Sequence, residues 1–158
     1  MSKVISFLNG KSSGKTTCIR ALAGALCEMG HSVHIIDRDE EKPNARTWRI
    51  RRENNAERKF DIMIDLANDA AEASKLAQES NADFVLIDTA GDKSAAKQRK
   101  LTSVSDFFVI NCLMDLDTCD SAVDMHLLLE EAGLPHRCVY VWEAGAMAKN
   151  SKEHADYL

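Results

Sequence analysis

The chain has 158 residues, 45% of them hydrophobic and 28% charged, which leaves room for one ordinary globular domain and not two. No apolar run approaches the roughly 18 residues of a membrane span, and Met1-Ser2-Lys3 leads straight into a strand-like stretch with no small-residue cleavage site, so no signal peptide is expected. The net charge of −5 conceals a local +5 over residues 42–59 and ten acidic against three basic residues from Asp106 to Leu158, which excludes a general nucleic-acid coat and leaves one basic patch.

Val4-Ile5-Ser6-Phe7-Leu8 reads as a buried strand running into a polar loop, Asn9 to Gly14. Thr16 to Met29 reads as a helix with Ile19, Leu22, Ala23 and Leu26 on its apolar face, stopped by Gly30. Val33 to Ile36 is a second strand ending in Asp37, and Pro43 opens a helix over residues 44–57. The alternation of Phe60-Asp61-Ile62-Met63-Ile64 predicts a third strand, followed by an alanine-rich helix near residues 66–78. Phe84 to Ile87, ending in Asp88, and Phe107 to Ile110 are the fourth and fifth strands. A helix near residues 118–131 stops at Gly133 and Pro135, and Cys138 to Trp142 is the sixth strand. There is no internal repeat, low-complexity stretch or linker. Apolar strands alternating with helices predict an α/β fold, a mainly parallel sheet covered by helices on both faces. Ligands of such sheets bind at the carboxyl ends of the strands, where Asn9–Gly14, Asp37, Asp39 and Asp88 all fall. The five cysteines include no C-x-x-C pair and are odd in number, as expected of free thiols in a reducing cytoplasm.

Gly10-Lys11-Ser12-Ser13-Gly14-Lys15-Thr16-Thr17 lies between a predicted strand and a predicted helix, the context that gives a Gly-Lys-Thr pattern meaning. Backbone N–H groups of a tight loop and a helix N-terminus make a positive pocket for phosphates. Lys15 is placed to meet β- and γ-phosphates, and the Thr16 hydroxyl to ligate Mg²⁺. Asn9 stands where the usual pattern has its first glycine. Asp88, followed by Thr89-Ala90-Gly91, has the Walker B arrangement, a carboxylate at a strand tip beside a Mg²⁺ shell. Asp37-Arg38-Asp39 closes the second strand in the same way. The chain thus reads as a P-loop NTPase, with ATP and Mg²⁺ as its expected cofactors.

In combination these motifs resemble the ParA/MinD-type deviant Walker ATPases over most of residues 3–142. The opening Val4 to Asn9, Lys11 and Gly14-Lys15-Thr16-Thr17, the Ile36-Asp37-Arg38-Asp39 segment and Leu86-Ile87-Asp88-Thr89 carry the resemblance. The stretch with Pro43, Arg46, Trp48 and Arg49 is most similar to the conjugation-linked branch, whose members help recruit transfer complexes. The resemblance implies a slow ATPase that forms a homodimer around two nucleotides and works with a DNA-bound adaptor in plasmid partition or transfer. Lys15 would be the P-loop lysine, and Thr16, Asp37 and Asp88 would serve Mg²⁺. Asp39 would orient the attacking water, and Lys11 would be the signature lysine that reaches the partner's nucleotide. Ser12 and Ser13 replace the family's two glycines, and an ungapped alignment puts Gly10 at the signature position. The expectation is a single domain over residues 1–158, without the strand and closing helix that usually follow in the family.

Two other classes share parts of this pattern. A small-molecule P-loop kinase would need an arginine-bearing lid, and the arginine cluster precedes the third strand. A GTPase fits Asp88-Thr89-Ala90-Gly91, but no N-K-x-D or T-K-x-D occurs to read guanine. Arg46, Arg49 and Arg52 at three-residue spacing would form a helical stripe able to meet DNA phosphates; a solvated face balanced by Glu53 and Glu57 fits as well. Trp48 reads as a packing anchor and Trp142 as a core or rim residue. The five histidines have no ligand spacing. The last twelve residues lack a basic amphipathic helix, so no membrane contact is expected.

Overall fold

The computed structural model describes residues 2–10, 12–38, 60, 62–89, 101, 103–113 and 115–140. Their strands are β1 (Lys3–Leu8), β2 (Val33–Asp37), β3 (Met63–Leu66), β4 (Phe84–Asp88), β5 (Phe107–Cys112) and β6 (His136–Tyr140). The helices are α1 (Lys15–Glu28), α2 (Ala70–Glu79) and α3 (Leu116–Glu131). All six strands pair in parallel, in the order β3-β2-β4-β1-β5-β6.

Successive residues of a strand point to opposite faces, so each strand feeds two cores. Phe7, Val33, Ile35, Leu86 and Val109 meet Ile19, Ala23 and Leu26 of α1 on one face. Val4, Ile36, Val85 and Ile87 meet Ala70, Ala73 and Ala77 of α2 on the other. Leu8, Phe108 and Ile110 extend that second face under α3, where Ala122, Met125 and Leu129 are buried. The buried stripe of α2 is made of alanines, and a helix without bulk on that stripe can lie flat on the sheet. The expected sheet covered on both faces is therefore the observed one.

The helix ends follow local chemistry. The Asp69 carboxylate accepts from the Ala71 and Glu72 N–H groups and starts α2, a cap whose loss typically costs about 1 kcal/mol. Asp115 does the same for α3 through the Thr118 N–H. At the end of α1, Gly30 adopts φ 89 and the His31 N–H turns back to Leu26 O. This left-handed exit favours glycine.

Several boundaries differ from the sequence expectation. Met63 to Leu66 is the segment that pairs with His34 to Asp37, so the third strand starts three residues later than 60, and Leu66 belongs to it and not to a helix. Phe60 and Ile62 still pack into the core, ahead of the first paired residue Met63. Helix α3 starts at Leu116, two residues early, because Asp115 caps it. Strand β6 starts at His136 because Pro135 O already accepts the Phe108 N–H at 3.0 Å. The expected helix over residues 44–57, with the Arg46, Arg49 and Arg52 stripe and Trp48, lies outside the described residues, as do Lys11, Asp39 and Trp142. No helix among the described residues is long and apolar enough to cross a membrane.

Candidate nucleotide-binding site

The strand order places the tips of β2, β4, β1 and β5 side by side. The chain leaves β1 for β2 on one side and later returns past β1 to β5 on the other, which makes the tip of β1 a topological switch point, the place where ligands of such sheets bind. The loop Asn9–Gly14 rises from that tip and turns into α1.

Three of the described loop residues hold positive φ: Asn9 at 129, Ser12 at 62 and Gly14 at 80. Gly14 is the N-cap of α1 and supplies no side chain to its first turn, which also contains no acidic residue. The other two helices among the described residues start with an aspartate cap. The N-terminus of α1 thus has no side-chain cap, and no acidic residue of its first turn offsets its positive partial charge.

Lys15 is 7% exposed and curls back over the loop. Its Nζ donates to Gly10 O at 2.8 Å and Asn9 O at 3.1 Å, and lies 3.4 Å from Ser13 Oγ. The buried Ser13 hydroxyl donates to Gly10 O at 3.0 Å. The ammonium is therefore held at the loop by neutral carbonyls. Ser12 and Thr17 are exposed, and Gly10 is buried.

The Thr16 hydroxyl donates to Asp88 Oδ2 at 2.6 Å. Asp88 is 4% exposed, and Asp37, its register partner at the tip of the neighbouring strand, is 1% exposed. The backbone locks both tips: the Arg38 N–H donates to Asp88 O and the Ala67 N–H to Asp37 O. The Thr89 hydroxyl donates to Phe7 O at 2.6 Å and ties the loop after β4 to β1. The structure thus brings Gly10, Ser12, Ser13, Gly14, Lys15, Thr16, Thr17, Asp37 and Asp88 to one end of the sheet.

Sequence reasoning missed what holds the loop down. The Asn9 carboxamide, 1% exposed, donates through Nδ2 to Asn111 O and, at 3.0 Å, to Thr118 O. Its Oδ1 accepts the Gly10 N–H at 2.7 Å. Asn9 therefore occupies a glycine-like conformation because its side chain fastens the loop to the end of β5 and the start of α3. The substituted first glycine was the available signal; its partners lie 102 and 109 residues away. Asn111 is itself buried, a polar residue closing the apolar run of β5. The Asp115 carboxylate beside this junction is held below its usual range, chiefly by the Thr118 N–H and next by the Thr118 hydroxyl.

Among solved structures, the fold is similar to that of the septum site-determining protein MinD of Pyrococcus horikoshii OT3 in complex with Mg-ADP. The TM-score is 0.62 at 18% identity, over 100% of this chain and 78% of that one. A protein of Borrelia burgdorferi B31 assigned to plasmid partition and bound to AMPPNP matches with a TM-score of 0.65 at 12% identity, over 99% and 81%. The cell division protein FtsY of Thermotoga maritima matches at 0.64 and 21% identity, over 89% of this chain and 52% of FtsY. No curated protein sequence matches the chain. The family model of the VirC1 protein matches residues 2–135. The loop, strand tips and sheet order described above give the chain a P-loop fold similar to that of MinD, and with the family match covering most of its length the chain belongs to the VirC1 family.

Proposed function

We propose that this chain is a Mg-ATP-dependent switch of the ParA type, acting in plasmid partition or in positioning a DNA-transfer complex. The observation that carries the reading is Lys15: a buried ammonium folded onto its own loop, beside an uncapped helix N-terminus and a Thr16–Asp88 pair at 2.6 Å. The donor set suits ATP and Mg²⁺. The loop offers N–H groups and an ammonium to phosphates, while Thr16 with Asp88, supported by Asp37, offers oxygens to the metal. The described residues contain no group of three His, Cys, Asp or Glu that could cage a metal. That suits Mg²⁺, which takes one or two carboxylates and completes its shell with phosphate oxygens and water.

When bound, Mg²⁺ would offset charge on the γ-phosphate as water attacks in line, and positioning supplies most of the acceleration in such reactions. Within the protein, Lys15 neutralises phosphate charge, Asp39 orients the water, and Lys11 reaches the nucleotide of a facing copy. The ATP form is a homodimer, and slow hydrolysis releases it. A DNA-bound adaptor is the partner, and Arg46, Arg49 and Arg52 contact DNA phosphates. The compartment is the cytoplasm.

Titration of labelled ATP tests the reading. A charge-assisted contact contributes roughly 1.5–3 kcal/mol, so Lys15→Ala is expected to bind at least about tenfold more weakly than the parent chain. Unchanged affinity overturns the nucleotide reading. Lys11→Ala is expected to bind ATP and stay monomeric by light scattering; a normal ATP-dependent dimer overturns the trans role of Lys11.

A further inference from the structure

Cys112 ends β5 and Cys119 lies in the first turns of α3, and their Sγ atoms are 3.4 Å apart. Cys112 is buried and Cys119 half-buried. Both thiols lie against one carbonyl, Leu113 O, at 3.2 and 3.6 Å. A disulfide needs about 2.05 Å between sulfurs, so a modest approach of strand end and helix start would join them. The residue before each cysteine is the one whose carbonyl holds the nucleotide loop. Asn111 O and Thr118 O accept from Asn9 Nδ2, and Asn9 O in turn accepts from Lys15 Nζ at 3.1 Å.

We propose that Cys112 and Cys119 are an oxidation site: a dithiol that a low-molecular-weight disulfide closes to an intramolecular disulfide, with closure felt at the Asn9–Lys15 loop. The effect on nucleotide affinity rests on the ATP reading above; the dithiol chemistry does not. The more exposed Cys119, as thiolate, attacks one sulfur of the small disulfide and expels one small thiol. The Cys112 thiol then loses its proton and displaces the second small thiol from Cys119. Two cysteine thiols give up two electrons, the small disulfide takes them, and two small thiols leave. Burial, followed by the contact with Cys119, holds the Cys112 thiol above its ordinary range. That makes Cys112 the slower first attacker and the natural resolving residue.

Drawing the sulfurs together moves the Asn111 and Thr118 carbonyls, and with them the amide that pins a loop of positive-φ residues. The full chain is incubated with oxidised glutathione and then alkylated, digested and mapped by mass spectrometry. The expected product is a Cys112–Cys119 linked peptide, reversed by dithiothreitol and absent in Cys112→Ser and Cys119→Ser. Stable glutathione adducts on either cysteine without the internal link overturn the proposal. The same oxidised chain is compared with the reduced one by amide hydrogen exchange over residues 10–16 and by ATP titration. Faster exchange in the loop and ATP affinity at least about threefold weaker are expected, within the range of known coupling energies. An internal disulfide with unchanged loop exchange overturns the coupling. Exchange needs no nucleotide, so a chain that binds no ATP would fail the functional reading and leave this test standing.

Discussion

Asn9 shows how one residue can serve a conformation that disfavours it. At φ 129 a side chain is strained and glycine is not, yet the carboxamide makes three hydrogen bonds that glycine cannot. The two contributions separate by substitution. Asn9→Ala keeps the strain, removes all three bonds and leaves buried acceptors short of a donor, an expected loss of about 2–4 kcal/mol. Asn9→Gly loses the same bonds but relaxes the backbone, and is expected to cost roughly half as much. Urea unfolding midpoints at constant slope measure both; a glycine variant less stable than the alanine variant would show that strain is not stored there. Lys15, Thr16, Asp37 and Asp88 were legible in the sequence because a strand tip and a helix start each leave a local mark. The anchors of Asn9 were not, since a hydrogen bond between residues 9 and 118 leaves none.

At the scale of elements, His34 joins three of them. Its ring, on β2, meets Ser80 Oγ at the end of α2 through Nδ1 at 3.0 Å, and Asp65 Oδ2 of β3 through Nε2 at 3.1 Å. The residue is 2% exposed. Burial lowers its pKa from the ordinary 6.5 and outweighs the opposing pull of Asp65. Below pH 6.5 the unfolded chain therefore binds a proton that the native chain resists. The His34 contribution to stability is complete above pH 6.5 and is lost as the pH falls from there through the lowered native value. While the difference lasts, the slope cannot exceed about 1.4 kcal/mol per pH unit. Chemical denaturation of the parent chain and His34→Gln between pH 7.5 and 5 is expected to show a steeper decline for the parent; parallel curves would remove the assignment. Strands β1, β2, β4 and β5 were legible because each is a mostly apolar run buried on both faces. Strand β3 was misplaced by three residues because Phe60 and Ile62 continue its alternation and its burial ahead of Met63, and burial alone carries no mark of where a ladder begins.

For the whole molecule, a ligand that binds only the folded chain stabilises all of it. At a hundred times the dissociation constant the gain is about 2.7 kcal/mol. For a chain of this size that corresponds to roughly 5–11 °C in Tm. Mg-ATP is expected to raise the melting temperature by this amount, with a chelator reducing the shift and Lys15→Ala at least halving it. A parent chain whose melting temperature ignores saturating Mg-ATP would contradict the functional reading. The overall architecture was legible because alternating strands and helices admit few arrangements. The strand order was not, because every buried strand here carries the same apolar signal.

That order has a consequence for synthesis. Strand β1 is made first, yet its only partners in the sheet are β4 and β5, which begin at Phe84 and Phe107. The loop that follows it waits longer still, because its two anchors sit at Asn111 and Thr118. On a ribosome adding about 5–20 residues per second, the first strand and its loop spend roughly 5–20 s without a scaffold. A nascent chain arrested before Thr118 therefore has the complete Gly10–Thr17 sequence without the two carbonyls that anchor Asn9, so nucleotide capture follows the synthesis of the first turn of α3.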